Sequence, residues 1–152
     1  MTSATGTPAT GPTPLTKRLY TARATATGGR AGHAVSDDGI LDVNLQPPKE
    51  MGGPGGATNP EQLFAAGYAA CFQSALGAVG RRQGVNTEDS LVEADVSIGP
   101  IANGAYGLAV TLKVSIPGVD AATVASLSEA AHQVCPYSNA TRGNIEVTLE
   151  AG

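Results

Sequence analysis

The 152-residue chain is notable first for what it lacks, and each absence removes a class of function. It contains no run of about 18 apolar residues, so a membrane-spanning helix is not expected. The N-terminus has no basic start followed by an apolar block, so no secretory signal is read. Nine Lys and Arg stand against 13 Asp and Glu, a net charge of -4. Phosphate recognition needs a basic face, so nucleic acid is not expected as a partner. The loop Gly52-Gly-Pro-Gly-Gly56 has no Gly-Lys-Ser/Thr ending and follows no strand–turn–helix fingerprint, so it is not a phosphate cradle. There is no CxxC. The two cysteines, Cys71 and Cys135, lie 64 residues apart, and the two histidines, His33 and His132, stand at no usual zinc spacing. No metal and no cofactor are therefore expected. His132, one turn before Cys135, reads as a polar helix residue. Without an export signal the compartment is expected to be the reducing cytoplasm, where a structural disulfide is disfavoured. Redox chemistry at thiols is the sharper option left.

What is present centres on the stretch Thr58 to Phe72. Thr58 or Asn59 can cap a helix, Pro60 suits its first position, and Glu61 or Gln62 can close a capping box. Helical spacing puts Leu63, Phe64, Gly67, Ala75 and Ala78 on the side of Cys71. The helix is predicted from Pro60 to about Arg82, ending near Gly84, with Arg81 and Arg82 at its negative end. Ahead of it, residues 1–15 read as a flexible tail and 16–152 as one domain. Alternation from Leu19 to Thr27, then His33–Ser36 and Leu41–Leu45, predicts a three-stranded meander, with turns at Gly28–Gly32 and Asp37–Gly39. After the helix, Val92–Ile98 and Tyr106–Ile116 alternate on either side of Asn103-Gly104, a hairpin signal. Asp120 caps a second helix with Val124, Leu127, Ala131 and Val134 on one face. Pro136 stops it at Cys135, and Ile145, Val147 and Leu149 make a last strand. The fold class is α+β, with antiparallel sheets around a long central helix and a second helix.

Composition and spacing leave the chemistry open. A cysteine inside an apolar helix face has its thiolate disfavoured, and the end of a helix also disfavours an anion at Cys135. Cys71 is thus either an inert core thiol or a nucleophile that needs a cation from elsewhere. Arg30, between glycines in Gly28-Gly-Arg-Ala-Gly32, can be that cation or a solvated turn arginine.

Three stretches together resemble the organic hydroperoxide resistance proteins of the OsmC/Ohr superfamily. They are Asn59–Cys71, the turn Ala26–Arg30, and Val134-Cys-Pro-Tyr-Ser-Asn-Ala-Thr-Arg-Gly-Asn144. The resemblance runs from about Leu19 to Leu149 and implies an OsmC-like fold, an intertwined homodimer and a thiol peroxidase. In it Cys71 matches the peroxidatic cysteine, Cys135 the resolving one, and Arg30 with Glu61 the pair that activates the thiol. Hydroperoxide attack would leave a sulfenic acid that Cys135 closes into a disulfide, reopened by a dithiol such as a lipoyl-bearing protein. Leu63, Phe64, Phe72 and Tyr137 are expected to form an apolar mouth for organic hydroperoxides. A broader OsmC-type peroxidase, a non-enzymatic cysteine-pair redox switch and a structural-disulfide protein are the other readings.

Helix geometry adds one expectation. Glu61 and Cys71, ten residues apart, stand about 15 Å apart along the axis and roughly 80° apart around it. One arginine cannot easily touch both within a chain. Each site is therefore expected to be shared, Arg30 and Glu61 of one subunit facing Cys71 and Cys135 of the other.

Overall fold

The computed structural model describes residues 11–152. The expected tail falls largely outside the described residues; within it, residues 11–15 are exposed and belong to neither helix nor strand. The meander forms, but its first strand is short. β1 (Ala24–Thr27) pairs antiparallel with β2 (His33–Ser36), and β2 with β3 (Asp42–Asn44). Pairing ends at Ala24↔Ser36 because the chain turns there, with the Gly39 N–H donating to the Ser36 carbonyl. Leu19 and Tyr20, predicted to begin the strand, have no partner strand and stand exposed. The sheet makes only slight contact with the rest of the chain, and β1 is exposed on both faces.

α1 (Pro60–Gln83) begins and ends as its sequence dictates. The Asn59 side chain accepts from the Gln62 N–H at 2.9 Å, and Gly84 closes the helix at φ +72°. Thr58 Oγ1 donates to the Gln62 side chain, which leaves Glu61 to bond elsewhere. Tyr68, Phe72, Ala75, Leu76 and Val79 form its buried stripe. The stripe packs with Val110, Leu112, Val114 and Ile116 and with Val124, Leu127 and Ala131. By length and composition alone α1 is long and apolar enough to cross a membrane. Its contacts with β4, α2 and α3 make it instead the central element of the core.

The hairpin of β4 (Leu91–Pro100) and β5 (Tyr106–Ser115) pairs without a slip from Leu91↔Ser115 to Pro100↔Tyr106. β6 (Val147–Ala151) joins the other edge of β5 in parallel, not antiparallel as expected. The helical connection between β5 and β6 carries the chain back to the start of the sheet, which makes a parallel pair. α2 (Ala121–Val134) is capped by Asp120, whose carboxylate accepts from the Thr123 N–H. A further helix, α3 (Pro136–Thr141), was not predicted. Pro136 ends α2 and at the same time occupies the first position of α3, where its missing N–H costs nothing.

Candidate active site

The turn between β1 and β2 is built to aim one side chain. Gly28 and Gly29 sit at φ +73° and +57°, and a Cβ on Gly32 would stand 1.8 Å from the Thr27 carbonyl oxygen. Between them Arg30 reaches the first turn of α1. Its Nη1 donates to Glu61 Oε2 and its Nη2 to Oε1, both at 2.8 Å, a two-bond clamp. The Glu61 carboxyl is held below its ordinary range by these bonds, which outweigh the burial that opposes them. Beside the clamp lies a recess of about 290 Å³ whose apolar wall is Phe64, Ile98 and Leu108.

The two cysteines meet where α1 packs against the end of α2. Cys135, in extended backbone between α2 and α3, is fully buried, and Cys71 is half-buried. Both are free thiols, their sulfurs 3.5 Å apart. Burial pushes the Cys71 thiol above its ordinary value, the backbone N–H of Tyr137 pulls it down, and the neighbouring Cys135 thiol raises it again. Arg30, held on Glu61, is not among the groups that act on it within the chain. The structure thus brings the four expected residues together as two pairs, clamp and thiols, not as one cluster.

Of the expected apolar mouth, Phe64 and Tyr137 stay in contact while Phe72 lies apart in the core. Phe64 stacks edge-on against Tyr68 and Tyr137, with ring centres 6.2 and 6.0 Å away, and also lines the clamp recess. Tyr137 lies over Gly67, one turn before Cys71; a Cβ there would stand 2.6 Å from its hydroxyl. Leu63 is half-buried, whereas Phe72 is wholly buried in the core.

Sequence reasoning assigned no part to Tyr68, Ser138 or Thr141, and it left His132 as a polar helix residue. His132 is buried, bonded through Nδ1 to Ser138 Oγ at 2.7 Å. The signal was available in the spacing: Val124, Leu127, Ser128, Ala131, His132 and Cys135 form one buried stripe. Among the described residues no group of three or more His, Cys, Asp or Glu is placed to hold a metal ion.

A family model described as OsmC-like protein matches residues 53–150. Over 135 residues the chain is 56% identical to the organic hydroperoxide resistance protein of Xanthomonas axonopodis pv. citri, covering 88% of this chain and 94% of that one. It is 50% identical over 135 residues to the organic hydroperoxide resistance protein OhrB of Bacillus subtilis, with 87% and 97% covered. Among solved structures, an organic hydroperoxide resistance protein from Elizabethkingia anophelis superposes with a TM-score of 0.83 at 55% identity, covering 88% and 96%. A relative from Vibrio cholerae, solved with captopril bound in one of the active sites, gives 0.85 at 47% identity, covering 90% and 94%.

Proposed function

Because this chain belongs to the OsmC-like protein family, and within it to the organic hydroperoxide resistance proteins, we propose that it is a cysteine-based peroxidase that reduces organic hydroperoxides to alcohols. The observation that carries the reading is the thiol pair: one half-exposed sulfur within 3.5 Å of a fully buried one. A partly exposed thiolate can meet a peroxide, and a buried partner can close the product before it is lost.

The Cys71 thiolate attacks the terminal oxygen of the hydroperoxide, the O–O bond breaks, and the alkoxide takes a proton to leave as alcohol. Cys71 becomes a sulfenic acid. Cys135 then displaces its hydroxyl, which departs as water with the Cys135 proton, leaving the Cys71–Cys135 disulfide. A dithiol, for which a lipoyl-bearing protein is suited, reduces this by exchange and is itself oxidised to a disulfide. Such a cycle fits the reducing cytoplasm.

The thiol needs a cation, and the clamp is the source we assign. Glu61 accepts both bonds and fixes the plane of the Arg30 guanidinium, which would hold Cys71 as thiolate and meet the charge on the departing alkoxide. Since the clamp does not act on Cys71 within one chain, each site is completed across a homodimer, Arg30 and Glu61 from one subunit and the cysteines from the other. The uncovered N-terminal sheet supports this, because a small three-stranded sheet needs a packing layer. Phe64 and the recess beside the clamp favour alkyl and lipid hydroperoxides over hydrogen peroxide.

The test is turnover of tert-butyl hydroperoxide and a fatty-acid hydroperoxide with dihydrolipoamide, against hydrogen peroxide. Wild type should consume the organic substrates catalytically. Cys71→Ser should be inactive, and Cys135→Ser should react once and fail to recycle. Wild type that oxidises once and is not restored by the dithiol would overturn the peroxidase and leave a redox switch.

A further inference from the structure

A buried hydrogen-bond network joins the three helices around the cysteines. The hydroxyl oxygen of Ser138 on α3 lies 2.7 Å from Nδ1 of His132 on α2 and 2.7 Å from the phenol oxygen of Tyr68 on α1. Tyr68 is also 3.0 Å from Thr141 Oγ1, and the Thr141 hydroxyl reaches the Ser138 carbonyl at 3.3 Å. Tyr68 and Ser138 are wholly buried. Outside this group, Arg142 Nη1 donates to the His132 carbonyl at 2.7 Å and its Nη2 to Asn139 Oδ1 at 2.5 Å.

Each member stands within one helical turn of a sulfur: Tyr68 before Cys71, His132 before Cys135, and Ser138 after it. The backbone of Cys135 is tied at both sides, its N–H donating to the Ala131 carbonyl and its carbonyl accepting from the Asn139 N–H, each at 2.9 Å. The position of its sulfur therefore follows the end of α2 and the start of α3. Those two helices are pinned to α1 through Ser138.

Proton counting shows that the network is complete in one direction. With His132 protonated at Nδ1, it donates to Ser138, Ser138 donates to Tyr68, Tyr68 to Thr141, and Thr141 to the Ser138 carbonyl. Apolar packing holds helices together but tolerates small slides. A chain of directional bonds in a low-dielectric interior does not.

We propose that Tyr68, Ser138 and His132 are positioning residues for disulfide closure, holding Cys135 against Cys71 so that the sulfenic acid is captured before a second hydroperoxide reaches it. The inference rests on the peroxidatic and resolving roles given above to the two cysteines. In closure the Cys135 sulfur bonds to Cys71 Sγ, the S–O bond breaks, and water leaves. The competing event is oxidation of the sulfenic acid by a second hydroperoxide, which yields sulfinic acid and a second alcohol.

The experiment is a single turnover of the reduced full-length protein with tert-butyl hydroperoxide and no reductant. It follows peroxide loss, sulfenic acid trapped by a dione, and the disulfide-to-sulfinic ratio by mass spectrometry. In Ser138→Ala and Tyr68→Phe, peroxide loss should stay within about twofold of wild type while closure slows about tenfold and sulfinic acid accumulates. His132→Leu should behave likewise. His132→Asn, which keeps a donor where Nδ1 stands, should close at close to the wild-type rate. Tyr68→Phe removes only one oxygen and serves as the decisive variant if the serine variant does not fold. Unchanged closure in Tyr68→Phe and His132→Leu, or lower melting temperatures with an unchanged disulfide-to-sulfinic ratio, would overturn the proposal. Wild type that consumes hydroperoxide without forming the disulfide would overturn the resolving role of Cys135 itself, a distinct failure.

Discussion

At Cys71, inside one chain, burial and the neighbouring Cys135 thiol raise the thiol while a single N–H from Tyr137 lowers it, with burial the largest influence. A cysteine left in that state has little thiolate at neutral pH. If the partner's clamp supplies the missing cation, removing it exposes the intrinsic handicap. Arg30→Ala should therefore move the pH midpoint for iodoacetamide alkylation of Cys71 upward, measured in a Cys135→Ser background so that one thiol reports. The rate at pH 7 should fall about tenfold for each unit of that rise and recover as the pH is raised. An unmoved midpoint would remove Arg30 from the activation of Cys71. Glu61 gives the opposite sign. Its carboxyl is held low by Arg30, so the clamp's contribution is full above the ordinary carboxylate range and is lost as pH falls through the lowered value. Wild type should exceed Glu61→Gln in stability at neutral pH by no more than about 1 kcal/mol, because solvent screens the open Arg30 side chain. Denaturant melts at descending pH should show that gap closing.

At the scale of the element, α1 does most of the positioning, since it carries Glu61, Tyr68 and Cys71 and gives up a side chain at Gly67 for Tyr137. Gly67→Ala should push the Tyr137 ring off the helix and slow reaction with fatty-acid hydroperoxides. Because the nearest contact is the phenol oxygen, Gly67→Ala should cost less stability in a Tyr137→Phe background, a coupling that a double-mutant cycle on melting would read. Independent costs would mean that Tyr137 adapts freely. This helix was legible in the sequence because its signals are local: Asn59, Pro60, the spaced core residues and Gly84. The β4–β5 hairpin was legible for the same reason. The missing parts depend on residues far along the chain. The length of β1 is set by where β2 turns away, and the parallel β6 by which edge of β5 is free. α3 was hidden because Pro136 serves as both stop and start. The Tyr68–Ser138–His132 network was hidden because a polar residue in an apolar stripe has meaning only when three helices meet. Of the candidate site, helix geometry alone separated Glu61 from Cys71; the assignment of partners to Arg30 and Cys135 came from family resemblance.

At the scale of the whole molecule, one chain is physically unfinished. Among the described residues the N-terminal sheet has no covering layer, apolar Leu19, Tyr20, Ile40 and Leu41 are open, and the Arg30–Glu61 clamp does not act on the thiols. A second copy related by a two-fold axis would answer all three at once, because whatever one chain lends it also receives. This architecture makes a prediction that neither a monomer nor a dimer of self-contained sites shares. Arg30→Ala has intact cysteines and no clamp; Cys71→Ser has an intact clamp and no peroxidatic thiol. Each alone should be inactive. Co-expressed with two different tags and purified through both, the mixed pair holds one site in which both defects fall together and one in which neither does. Its turnover with tert-butyl hydroperoxide and dihydrolipoamide should be about half that of wild type per dimer. If the sites are self-contained, every site in the mixed pair carries one defect and none recovers. Inactivity of a properly assembled mixed pair would thus return the clamp and the thiols to the same chain.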